Sequence, residues 1–139
     1  MKEKNSFKFR AWDTHEEVMN RVDYIDFVNG VIGMSNENVR DYEQPIHRVN
    51  IMQYTGCRDK NGIEIFEGDI LHWKDCEPVD DEMVYEDIIV VYWSDEFMMW
   101  KAKNEDTDYI DLYDYSDNRE LEVLGNIYEN PELLDEVEE

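Results

Sequence analysis

Between Val49 and Trp73 the chain breaks into short apolar runs separated by glycine-bearing turn sequences, and this punctuation restricts the fold more than any other feature. Val49–Tyr54 reads as a strand. Thr55-Gly56-Cys57-Arg58-Asp59-Lys60-Asn61-Gly62 is rich in turn formers, and Ile63-Glu64-Ile65-Phe66, the Glu67-Gly68 turn and Asp69–Trp73 follow. Runs this short suit strands rather than helices. Gly56, Gly62 and Gly68 stand where a β-chain must turn, and glycine reaches positive φ without steric cost. The pattern predicts a mainly β protein, built of small curled antiparallel sheets or an SH3-like partial barrel.

The flanking sequence agrees. Phe7 to Trp12 alternates large apolar with polar or small residues, the period of a half-buried strand, and Val18 to Val22 is placed to pair back onto it. Asn29-Gly30 lies between two β-rich pieces and suits a type I′ hairpin. Ser35 to Pro45 is polar and mixed and reads as a loop or short helix. Asp87 to Trp93 is the strongest β run, Ser94-Asp95-Glu96 reads as a turn, and Phe97 to Ala102 returns antiparallel. Leu121 to Tyr128 closes the sheet, and Pro131 fits the first turn of a short terminal helix. The chain reads as one domain over 1–139, with a soft boundary near 36–48 between an N-terminal β-piece and a C-terminal barrel-like piece.

Charge narrows the function. The 139 residues carry 36 acids against 13 Lys and Arg, a net charge of −23. Residues 1–69 are close to balanced, whereas residues 70–139 hold 23 acids and only 4 bases. Binding nucleic acid through phosphates needs a basic face, which the second half does not have, and an anionic membrane surface repels it. A basic protein partner fits this field. No apolar run approaches the roughly 20 residues of a membrane span. The N-terminus has charge without an apolar segment behind it, so cytoplasmic residence is expected. Cys57 and Cys76 fit no zinc or CxxC pattern and are expected as free thiols.

Three segments resemble the YopX family of phage and prophage proteins. They are Lys8-Phe9-Arg10-Ala11-Trp12-Asp13 at the start, then Met52-Gln53-Tyr54-Thr55-Gly56 with Asp59-Lys60-Asn61-Gly62, Glu64-Ile65 and Glu67-Gly68-Asp69-Ile70 in the centre. The third is Gly125-Asn126-Ile127-Tyr128-Glu129-Asn130-Pro131-Glu132-Leu133-Leu134 at the end. Order and spacing agree throughout, and Cys57 departs from a usual aliphatic residue. The resemblance implies a phage or prophage protein in a bacterial host with a mostly β fold, and it brings no established activity with it. The motif residues Arg10, Trp12, Asp13, Gln53, Tyr54, Gly56, Asp59, Asn61, Gly62, Glu67, Gly68, Asp69, Gly125 and Asn126 are expected to be structural.

The candidate interaction surface is the acidic, tyrosine-bearing stretch at 104–118. There Asp106, Asp108, Asp111 and Asp114, interleaved with Tyr109 and Tyr113, have the charge to occupy a basic cleft. The acidic stretch 75–87 is a second. The spacing from Asp106 fails an EF-hand, since Ile110 and Asp111 fall where a carboxylate and a glycine belong. No cofactor or metal is called for. Two other classes stay open. One is a structural homo-oligomer burying Trp93, Phe97 and Trp100. The other is a metal-assisted hydrolase using Glu67, Asp69 and His72, which requires those side chains to converge.

Overall fold

A computed structural model describes residues 7–74, 86–104, 110–112 and 121–135. The chain forms two compact units, Phe7–Tyr54 and Thr55–Glu139, so residues 36–48 lie within the first. Among the described residues the architecture is antiparallel β with one short terminal helix, and neither sheet closes into a barrel.

In the N-terminal unit, strands β1 (Phe9–Asp13), β2 (Val18–Asp26), β3 (Val31–Ser35), β4 (Tyr42–Pro45) and β5 (Val49–Arg58) lie in the order β4-β3-β2-β1-β5. The alternation of β1 turns Ala11 and Asp13 to the core. There Ala11 packs with Ile32, Met34 and Val49, and with the half-buried Val22, Ile25, Tyr42, Ile46 and Ile51. Tyr42–Pro45, expected as loop or helix, is a strand. Its Tyr42, Glu43, Gln44 and Pro45 pair with Met34, Gly33, Ile32 and Val31. Side chains facing a neighbouring strand outweigh the low β propensity of this polar segment.

The hairpins turn by side-chain capping rather than by the Asn-Gly chemistry expected. Asp26 Oδ1 accepts the amides of Val28 and Asn29, and the Gly30 amide donates to Asp26 O at 2.9 Å. Gly30 has φ +70° and Asn29 does not have positive φ, so the turn is a four-residue loop and not type I′. The same device serves Asp13, whose Oδ1 accepts the His15 and Glu16 amides while Glu17 N donates to Asp13 O. It serves Asn126 as well, whose Oδ1 accepts from Tyr128 and Glu129 while Asn130 N donates to Asn126 O. A short side-chain oxygen satisfies two amides that no strand partner reaches.

In the C-terminal unit β5 continues past Tyr54 to Arg58 with β6 (Glu64–Phe66) beside it. The expected turn at 55–58 is therefore strand. Gly56 sits inside it at φ +87°, a local irregularity rather than a chain reversal, and the reversal comes at Asp59–Gly62. A second sheet has the order β10-β9-β8-β7-β11. Its strands are β7 (Asp69–Lys74), β8 (Glu86–Ser94), β9 (Met99–Lys103), β10 (Ile110–Asp111) and β11 (Leu121–Asn126), and helix α1 (Glu132–Asp135) ends the fold. Its core is Ile65, Leu71, Ile89, Val91, Ala102, Leu112 and Leu121. Cys57, a free thiol, packs on it with Trp73, Trp100 and Val123. Each fully buried Leu, Ile or Val contributes about 1.5–3 kcal/mol relative to exposure.

Candidate functional site

The most exposed apolar surface of the N-terminal unit surrounds the end of β2. Phe7, Tyr24, Phe27 and Val28 are 75, 50, 81 and 93% exposed. An open hollow of about 360 Å³ is lined by Phe7, Lys8, Phe9, Val22, Asp23, Tyr24, Ile25 and Phe27. Isolated exposed apolar residues are ordinary, whereas a cluster of them around a concavity is less common on a protein surface.

Local structure fixes each wall. Phe7 and Phe9 meet edge to face with ring centroids 5.0 Å apart. The register of β2 on β3 shifts between Val22 and Tyr24, which makes Asp23 the extra residue of a bulge. Its carboxylate reaches Ser35 Oγ (2.7 Å) and Arg21 Nε (2.9 Å), and these two hydrogen bonds, that of Ser35 first, hold it below the usual carboxylate range. Tyr24, Gly33 and Glu43 stand in one row across β2, β3 and β4. The Tyr24 ring lies over Gly33, where an added Cβ would collide with it. Its hydroxyl donates to Glu43, which raises its pKa. Glycine is needed at 33 because an aromatic ring takes the space of a side chain.

The buried polar centre of the same unit is Asp13. Its Oδ2 accepts from Tyr42 Oη at 3.0 Å and Gln44 Nε2 at 3.1 Å, in addition to the two amides on Oδ1. Burial pushes the carboxyl up, but the amides of Glu16 and His15 and the two side chains outweigh it and hold it low. Burial and the bond to Asp13 push the Tyr42 hydroxyl up to about 12. Four donors fill the lone-pair sites of this carboxylate. Of the other motif residues here, Arg10 stands between Arg21 and Met52 in register, Trp12 between Met19 and Asn50, and Gln53 opposite Phe9. Tyr54 is buried with Lys8 Nζ 4.8 Å from its ring centroid.

In the C-terminal unit, motif carboxylates again accept backbone amides. Asp59 Oδ1 accepts from the Asn61 and Ile63 amides, Gly62 N donates to Asp59 O, and Asp59 Oδ2 accepts from Val123 N, 64 positions away, at 2.9 Å. That last bond meets β11 where its register slips between Val123 and Gly125. Buried Asp69 accepts from Phe66 N at 2.7 Å across the Glu67-Gly68 turn, while Gly68 N donates to Val91 O. A Cβ on Gly125 would strike the Asn130 side chain.

Of the residues named for a hydrolase, Asp69 and His72 do not converge. Asp69 and His72 are three apart on one strand and project to opposite faces. His72 Nε2 instead meets Glu86 at 2.8 Å, and this hydrogen bond lowers the Glu86 pKa. Lys60 Nζ holds Glu122 at 2.9 Å and lowers it likewise. Among the described residues no three His, Cys, Asp or Glu side chains gather as metal ligands.

Of the acidic candidate surface, Asp106, Asp108, Tyr109, Tyr113 and Asp114 lie outside the described residues. Asp111 stands in β10 opposite Lys101, and Leu112 is buried in the core. A second apolar surface occupies the β8–β9 hairpin. Trp93 and Trp100 are cross-strand partners in edge-to-face contact at 5.2 Å, Lys101 Nζ lies 4.6 Å from the Phe97 ring centroid, and Met98 is exposed at φ +54°. The sequence reading named Trp93, Phe97 and Trp100 but passed over the N-terminal hollow. No local pattern marks it, because Phe7 lies far along the chain from Tyr24, Phe27 and Val28.

Fold and surface together define a class of two-unit antiparallel β protein with capped hairpins and an aromatic-lined surface hollow. The chain belongs to the YopX protein family, whose model matches residues 8–135. It is similar to the crystal structure of protein EF1440 from Enterococcus faecalis, with 29% sequence identity and a TM-score of 0.64 over 92% of this chain and 97% of that one. No curated protein matches the chain. No helix among the described residues is long and apolar enough to cross a membrane.

Proposed function

We propose that the chain is a non-enzymatic, acidic protein-interaction module, a phage or prophage accessory protein that meets a basic host or phage protein in the bacterial cytoplasm. One observation carries this reading: a clustered aromatic surface stands exposed on a chain of net charge −23. Asp13, Asp59, Asp69 and Asn126, buried polar residues of the motifs, accept backbone amides, which supports a scaffold rather than a reaction centre. Charge steers the encounter with a basic partner, and apolar contact then holds it. Affinity capture from a bacterial lysate at about 0.1 M and about 1 M salt tests this, since screening shortens from about 10 Å to about 3 Å. Partners of high pI retained at low salt and released at high salt are expected. Retention of the same proteins at both concentrations sinks the electrostatic reading.

A second reading, self-association through the β8–β9 hairpin, is favoured by the exposure of Trp93, Phe97 and Met98. Sedimentation showing a dimer that Met98→Asp dissolves would support it.

A further inference from the structure

We propose that Met98, at the tip of the β8–β9 hairpin, is a redox modification site: a peroxide oxidises its thioether to the sulfoxide, and the hairpin tip changes from apolar to polar. This goes beyond the reading of the chain as an interaction module and holds whether or not the hairpin meets a second copy.

Neither the turn nor the core calls for a methionine at this position. Ser94, the last residue of β8, pairs with Met99, the first of β9, so Asp95 to Met98 form the loop. Ser94 Oγ accepts the Phe97 amide at 3.2 Å, and Met98 closes the loop at φ +54°. That region suits glycine or asparagine, and a longer side chain is held there against a steric cost. Burial does not offset the cost, because Met98 is 71% exposed. An unfavoured backbone conformation under an exposed side chain points to a use for that side chain. What methionine brings is a polarisable sulfur that peroxides oxidise.

The other methionines among the described residues are shielded. Met34 and Met52 are buried, and Met19 and Met99 are half-buried in β2 and β9. Oxidation follows exposure, so Met98 reacts first. With hydrogen peroxide, the sulfur lone pair attacks one oxygen, an S–O bond forms and the O–O bond breaks. The departing hydroxide takes the proton of the transferred oxygen and leaves as water. Sulfur is oxidised by two electrons, and the peroxide is reduced by two. Met98 is the most exposed member of an apolar patch that includes Trp93 and Phe97, and Lys101 Nζ holds the Phe97 ring beside it. A sulfoxide oxygen there binds water where the thioether presented an apolar surface. Sulfoxide reductases restore the thioether, which makes the change reversible.

The test exposes the full folded chain to hydrogen peroxide for graded times, stops the reaction with catalase, and locates the added oxygen by mass spectrometry with fragmentation between Met98 and Met99. Met98 is expected to gain its oxygen at least about tenfold faster than Met34 and Met52, and ahead of Met19 and Met99. In urea the rates are expected to converge, since shielding is then gone. Retention on a hydrophobic-interaction column reads the surface. The oxidised chain is expected to elute earlier, and a methionine sulfoxide reductase to restore its retention. Met98→Leu, which keeps an apolar side chain without sulfur, is expected to elute unchanged after the same treatment. Equal rates at Met98 and at Met34 or Met52 in the folded chain, or earlier reaction at Met19 or Met99, overturn the site. Oxidation at Met98 that leaves retention unchanged, or an equal shift in Met98→Leu, overturns the change of surface. Neither result touches the interaction-module reading, which stands or falls on the lysate capture.

Discussion

Tyr42 donates its hydroxyl to Oδ2 of Asp13 at 3.0 Å, across 29 positions of sequence, and so ties β4 to the end of β1. The carboxylate also caps the loop that follows β1. Asp13→Ala is expected to destabilise the protein by about 2–4 kcal/mol, because it leaves buried donors unsatisfied, and Tyr42→Phe by about 1 kcal/mol. Urea unfolding of both variants and their double measures the coupling.

The same pair predicts opposite responses to pH. Asp13 has a lowered folded pKa, so its contribution is present above its unfolded value and is lost as pH falls through the folded one. Tyr42 has a raised folded pKa, so its contribution is complete below 10.0 and is lost as pH rises from there through about 12. Asp13→Asn should therefore flatten the acid limb of the stability curve, and Tyr42→Phe the alkaline limb. An unchanged acid limb in Asp13→Asn would falsify the assignment.

Gly33→Ala should expel the Tyr24 ring from its place over β3 and cost about 1–3 kcal/mol. The change is visible as altered ring-proton shifts of Tyr24 in NMR spectra. Gly33→Ala combined with Tyr24→Ala should recover much of the loss, since the ring that collides is then gone.

Asp59→Ala should loosen two places far apart in sequence. The turn at Asp59–Ile63 loses its cap, and Val123 N loses its acceptor, at a combined cost of about 2–4 kcal/mol. Faster hydrogen exchange at Val123 is the specific sign, and unchanged exchange there argues against the bridge.

Gly56→Ala places a side chain at φ +87° within a strand and should cost about 1–3 kcal/mol. His72→Ala, by contrast, removes a surface pair with Glu86 and should leave the unfolding midpoint within error. A large loss at His72 would show that the pair is more than a surface contact.

The strands were legible wherever alternation or β-branched runs were strong, as in Phe9–Asp13 and Ile88–Tyr92. Tyr42–Pro45 was not legible, because its pairing is decided by β3 and by the Asp13 acceptor rather than by its own residues. Asn29-Gly30 misled for a related reason. Asp26, three residues upstream of Asn29, organises the loop. The family motifs include Asp13, Asp59, Asp69 and Asn126, and in each the geometry shows a side-chain oxygen aimed at backbone amides, a contact that residue type alone does not specify. The hollow was hidden because it depends on β2 outrunning β1, a relation between strand lengths that no local pattern records.

The capped loops have a consequence for chemical ageing. Asparagine before glycine is prone to deamidation, because the glycine amide nitrogen attacks the side-chain carbonyl and closes a succinimide. In both Asn-Gly pairs that nitrogen is engaged, Gly30 N with Asp26 O and Gly62 N with Asp59 O, and Asn29 Nδ2 is held by Asp26 Oδ2 as well. Native protein in storage should therefore keep Asn29 and Asn61 intact far longer than the unfolded chain does, so that isoaspartate at either residue records time spent unfolded.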